Sequence, residues 1–180
     1  RSLLDGEDIL KMPERRLWSS IAYVPQARTA SPAYTAMETV LLGRTGRIGV
    51  FASPGKRDIE VAEGAMQSLG IIDLADKKCS QMSGGELQMV LIARALAAEP
   101  SILILDEPES NLDFKNQLIV LDAISGLAAR GIACIFNTHY PEHALQRSDK
   151  ALLLAEGKAR FGSTAGIVTE DNIEEAFGVR

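Results

Sequence analysis

The segment Ile102-Leu103-Ile104-Leu105-Asp106-Glu107 constrains this chain more than any other. A short apolar run that stops abruptly at two acids reads as a strand buried on both faces, and such strands belong to parallel sheets covered by helices. A second run of this kind spans residues 131–137. Between the two, Leu121, Ile124, Leu127 and Ala128 recur at helical spacing, with Gly131 placed as the stop. Residues 101–137 therefore predict a strand, helix and parallel strand, a crossover that should be right-handed. Lys150–Ala155 reads as a further strand, Glu156-Gly157 as a turn, and residues 158–161 as the return of a hairpin, with short helices over 164–168 and 171–177. The expected fold class is α/β.

The stretch 27–97 differs. Helical patterns at 36–42 and 58–69 flank the turn-rich residues 46–55, and the whole reads as a helical insertion after a strand at Ile21–Val24. Apolar residues make up 46% of the 180 and charged residues 24%, a soluble globular balance in a chain long enough to bury a core. The apolar runs fall well short of the roughly 18 residues that suggest a membrane span. The opening Arg1-Ser2-Leu3-Leu4-Asp5-Gly6 has neither the apolar core nor the cleavage site of a secretory signal, which argues against export. A net charge of −5 argues against a nucleic-acid partner. Arg44, Arg47, Lys56 and Arg57 cluster loosely and read as a solvated face. Cys79 and Cys134 sit in no metal-type spacing and read as buried reduced thiols.

Chemistry concentrates where the strands end. In open α/β sheets ligands gather at the carboxyl ends of the strands, so Asp106 and Glu107 emerge where a phosphate would lie, one suited to Mg²⁺ through water and the next to polarising an attacking water. An exposed acidic loop is the plainer reading of the same pair. Ser83-Gly84-Gly85-Glu86 opens a helical run and fits the S-x-x-E capping box, but two glycines beside free helix N–H groups also suit an anion. His139 follows the second strand directly and can orient a phosphate or water, or simply close the strand end. Pro141 and Glu142 after it look like a first helical turn, and His143 reads as structural. Gln26, after Pro25, can reach a metal or water, or cap its strand.

Taken in order, Tyr23-Val24-Pro25-Gln26, Met82-Ser83-Gly84-Gly85-Glu86, Ile102 to Pro108, Ser110-Asn111-Leu112-Asp113 and Thr138-His139 resemble the ATP-binding cassette (ABC) transporter ATPases along essentially the whole chain. Each motif is weak alone, and the five together are specific. The resemblance implies a P-loop NTPase (RecA-like) parallel-sheet core over 1–26 and 98–180, with a helical signature subdomain over 27–97. It makes Gln26 the Q-loop glutamine at Mg²⁺ and water, and Ser83, Gly84, Gly85 and Glu86 the signature that binds ATP held by a second copy. Asp106 becomes the Walker B aspartate at Mg²⁺, Glu107 the catalytic base, Ser110 and Asp113 the D-loop at the dimer interface, and His139 the switch histidine. Within the family, Gly43-Arg44-Thr45, Phe51-Ala52-Ser53-Pro54, Thr138 to Ala144, Phe161-Gly162-Ser163-Thr164 and the ending from Thr169 to Val179 look most like importers of iron-siderophore, haem, cobalamin or molybdate.

The family also needs a P-loop, G-x-x-x-x-G-K-[ST], whose amides and lysine hold the phosphates. Residues 1–180 contain none; Gly55-Lys56 fails because Val50 and Arg57 occupy the flanking motif positions. The sequence thus predicts an incomplete core, lacking its amino-terminal phosphate grip and inactive alone. Glu86 and Glu109 stand where the family more often has glutamine and threonine. The expected function is an ATP-hydrolysing subunit, with ATP and Mg²⁺, that pairs with a second copy and with transmembrane permease subunits at the cytoplasmic face of the membrane, served indirectly by a substrate-binding protein. One alternative is a degenerate, non-hydrolysing cassette. Another is a non-transport ABC ATPase of DNA repair or chromosome organisation, which the short spacing of Gln26 and Ser83, 57 positions apart and without heptads between, disfavours.

Overall fold

The computed structural model describes residues 2–26, 33–48, 52–155 and 157–178. Phe51, Glu156, Val179 and the opening of the helical insertion at 27–32, all used above, lie outside them. In chain order the elements are β1 (Leu3–Leu4), β2 (Glu7–Asp8), α1 (Glu14–Ser20), β3 (Ile21–Val24), α2 (Ala36–Leu41), α3 (Lys56–Ser68), α4 (Gly84–Ala97), β4 (Ile102–Asp106), α5 (Phe114–Ala129), β5 (Ala133–Asn137), α6 (Pro141–Arg147), β6 (Lys150–Ala155), β7 (Lys158–Ser163), α7 (Thr164–Ile167) and α8 (Glu170–Phe177). They fall into two compact units, Arg1–Asn137 and Thr138–Arg180.

In the first unit, β3, β4 and β5 form a parallel sheet in that order, as the α/β expectation requires. The register aligns Ala22 with Leu103 and Cys134, and Val24 with Leu105 and Phe136, so these share one face. That face joins the core made with Val40 of α2, Met66 of α3, Val90 and Ile92 of α4, and Val120, Ile124 and Leu127 of α5. The expectation that the strands are buried on both faces is corrected here. Burial alternates along β4 and β5, and on the opposite face Tyr23 and Ile135 are 48% and 57% exposed.

Helix starts follow local chemistry. Thr35 and Glu38 form a capping box at α2, Ser83 and Glu86 another at α4, and the Asp113 carboxylate accepts the Asn116 N–H at α5. Gly131, at φ +91°, lies just past the end of α5, where a left-handed residue is needed. The reading of the basic cluster as a solvated face fails at Arg44, which is 3% exposed. Its guanidinium donates to Asp58 at 3.1 Å, Glu99 at 2.7 Å and the Ala97 carbonyl at 2.7 Å, because a buried charge persists only when paired and hydrogen-bonded. Both cysteines are free, Cys79 buried and Cys134 only half-buried, which corrects the expectation for the latter.

In the second unit, β6 and β7 form an antiparallel hairpin. Pro141 stands in the first turn of α6, as expected, and His143 is buried with its ring 4.9 Å from that of Tyr140. Among the described residues no helix is long and apolar enough to cross a membrane.

Candidate functional site

The parallel register places Asp106 opposite Asn137 at the carboxyl end of the sheet. Both belong to the same exposed face as Tyr23, and their side chains meet there. Asp106 Oδ1 accepts from Asn137 Nδ2 at 2.8 Å, and Asp106 Oδ2 from the Tyr23 hydroxyl at 2.8 Å. By accepting that hydrogen bond, the Asp106 carboxylate holds the Tyr23 hydroxyl above the ordinary phenol range. Glu107, one residue on, takes φ +44°, a left-handed conformation that is uncommon for a residue with a side chain. Its N–H donates to Asn137 Oδ1 at 2.7 Å, and its Oε2 accepts from Gln26 Nε2 at 3.3 Å. Three strands thus converge on the acid pair.

The Ser83 turn is built differently. The Glu86 carboxylate reaches back to the Ser83 N–H at 2.8 Å while the Ser83 hydroxyl accepts the Glu86 N–H at 3.3 Å. Lys77 Nζ donates to both Glu86 oxygens at 2.8 Å. This ammonium, and after it the Ser83 N–H, hold Glu86 below the usual carboxylate range. Ser83 and Gly84 are exposed, and Gly85 is buried. A Cβ on Gly85 would lie 2.6 Å from Asn116 Cγ, and one on Gly84 would lie 3.0 Å from Leu112 Cδ2. Close packing against the start of α5 therefore requires Gly85, a reason for the paired glycines that the sequence did not suggest.

Of the residues singled out in the sequence, Gln26 and Glu107 are brought together directly, with Asp106 adjacent. Ser110 N–H donates to the Glu107 carbonyl at 3.0 Å, which closes the turn leading to Asp113. Asp113 is exposed and caps α5. Glu109 is 1% exposed. His139 is exposed and opens the second unit. Tyr23 and Asn137 were missed as site residues. The signal for Asn137 was a polar residue ending the strand that neighbours Asp106. Among the described residues no cluster of three or more acidic, His or Cys side chains is poised for a metal. The set at the sheet edge is instead Asp106, Glu107 and the Gln26 amide, all oxygen donors. That suits Mg²⁺, which keeps several waters and takes one or two carboxylates. When bound, such an ion would neutralise phosphate charge, and Asp106 and Gln26 would be the residues to hold it.

A parallel α/β sheet with an acid pair at its carboxyl edge and a capped Gly-Gly helix start is consistent with the P-loop NTPase-like class of fold. Residues 1–110 match the family model described as ABC transporter. The molybdate import ATP-binding protein MolC of Haemophilus influenzae is 38% identical over 162 residues, which cover 89% of this chain and 64% of that protein. A Helicobacter pylori ATP-binding protein assigned to iron chelatin transport is 31% identical over 174 residues, covering 96% of this chain and 68% of its own. An inward-facing structure of a transporter assigned to the metal-chelate type superposes with a TM-score of 0.84 at 37% identity, over 89% of this chain and 64% of that one. The chain belongs to the ABC transporter ATP-binding family, and it spans about two thirds of the length of these relatives.

Proposed function

We propose that the chain is the ATP-binding and ATP-hydrolysing part of a subunit that energises an importer of a metal chelate or molybdate. The single observation that carries this reading is the Gln26–Glu107 contact at 3.3 Å beside Asp106, at the carboxyl edge of a sheet in a member of this family. In this reading Glu107 polarises the attacking water and Gln26 orients it. Asp106 would hold Mg²⁺, which would supply charge neutralisation at the phosphates, and His139 steadies the γ-phosphate. Ser83, Gly84, Gly85 and Glu86 meet ATP bound to a second copy, and Ser110 and Asp113 line the junction between the two. Residues 27–97 act as the helical subdomain that meets permease subunits at the cytoplasmic face. Similarity to the molybdate and iron chelatin relatives supports the choice of cargo class.

Residues 1–180 contain no P-loop, so they turn over ATP negligibly by themselves, and hydrolysis is tested in a form carrying a P-loop segment ahead of residue 1. There Glu107→Gln lowers kcat by at least about 10²-fold, the scale of a lost general base. Turnover that survives Glu107→Gln refutes the assignment. Complete inactivity of the P-loop-bearing form before mutation favours a degenerate, non-hydrolysing cassette instead.

A further inference from the structure

We infer that Asn137 is a positioning residue for the acid pair, one side chain that fixes both the Asp106 carboxylate and the backbone of Glu107. The inference rests on the reading of Glu107 as the base. The ladder between β4 and β5 ends at the Asp106–Asn137 pair, so the Glu107 N–H lies just beyond it. There the chain turns to φ +44°, and the Asn137 carboxamide takes that N–H in place of a strand partner, 2.7 Å from Oδ1. The same carboxamide donates its N–H to Asp106 Oδ1 at 2.8 Å.

Chemistry fixes the orientation of this side chain. A backbone N–H must face an acceptor and a carboxylate must face a donor, so oxygen lies toward Glu107 and nitrogen toward Asp106. Only a carboxamide offers both at this reach. An aspartate keeps the acceptor but sets a second carboxylate against Asp106, and an alanine offers neither. With Asn137 in place, the strained turn at Glu107 has one backbone direction, and its carboxylate is presented to Gln26.

A strand-end cap without influence on the acids is the competing account, and two measurements separate them. In the ¹⁵N-labelled 180-residue chain, Asn137→Ala speeds hydrogen exchange at the Glu107 amide by roughly 10-fold or more while Asn137→Asp keeps it slow, as expected when one hydrogen bond protects the amide. In the P-loop-bearing form, Asn137→Ala lowers kcat by on the order of 10²-fold and leaves the KM for ATP within about 3-fold, the signature of a misplaced group acting in the transition state. Unchanged exchange at Glu107, or a kcat left at its parent value, overturns the inference. Glu107→Gln, run alongside, tests the underlying reading separately. If that variant is inactive and Asn137→Ala is fully active, the base assignment stands and the role given to Asn137 falls.

Discussion

The acid edge of β4 and the turn that opens α4 are both small polar clusters, yet they are assembled in opposite ways. The turn is local. Ser83 and Glu86 are three residues apart, and Lys77 lies nine residues from Glu86. The acid edge draws on partners 31, 81 and 83 residues distant, from Asn137, Gln26 and Tyr23. A local cluster survives wherever its helix forms, because capping is set by neighbours in the chain. A cluster of distant partners exists only while the sheet register holds, since a slip of one residue moves every side chain to the other face. The turn does have distant dependences, Gly84 on Leu112 and, more tightly, Gly85 on Asn116, and the tighter is tested first.

Gly85→Ala is expected to have the largest effect on stability. In open space the change would stabilise a helix by about 0.5–1 kcal/mol. Here the new Cβ would sit 2.6 Å from Asn116 Cγ and 2.9 Å from its Cβ, so α4 and α5 must separate. Overpacking of this kind costs about 1–3 kcal/mol, read as a lower urea midpoint. Adding Asn116→Ala should recover part of the loss. If the two changes are simply additive, the contact is not the cause, and the turn is as local as its capping box suggests.

A smaller effect tests the local half of the comparison. Glu86 has its folded pKa held below the unfolded value, chiefly by Lys77. Its contribution is therefore present above the unfolded carboxylate pKa of about 4.3 and is lost as pH falls through the lower folded value. Lys77→Met should remove about 0.5–1 kcal/mol near neutral pH and flatten the acid limb of stability against pH. An unchanged slope would mean that Lys77 does not set the charge of this turn.

This contrast also explains which parts were legible in sequence. The strand at Ile21–Val24, the βαβ unit around α5 and the capping box at Ser83 follow from periodicity and short spacing, and they were readable. Glu107 and Gln26 were readable as strand-end residues, because direction along a strand is encoded locally. Asn137 is legible only as a polar strand end, and its pairing with Asp106, like that of Tyr23, depends on register, which no single strand reveals. Arg44 was misread for the same reason: its partners Asp58 and Glu99 are 14 and 55 residues away. Gly85 was noticed, but its packing on Asn116 needed two helices to be placed together.

The smallest expected effect falls on an exposed member of the acid edge. Tyr23 is half-exposed, and its hydroxyl bond to Asp106 raises its pKa, with some help from desolvation. A group with a raised folded pKa contributes stability below its unfolded pKa, about 10 for tyrosine, and loses it as pH rises through the folded value. Tyr23→Phe should therefore lower neutral stability slightly, the residue being half-exposed, and should remove an absorbance step above pH about 10 in a tyrosine titration. Asp106→Asn removes the accepting charge, so it should move that step back toward the ordinary range while the phenol remains. If the step persists in Tyr23→Phe, or does not respond to Asp106→Asn, then β3 does not reach the acid pair through this hydroxyl. The β3 side would then reach the edge through Gln26 on Glu107, while Asn137 of β5 braces Asp106.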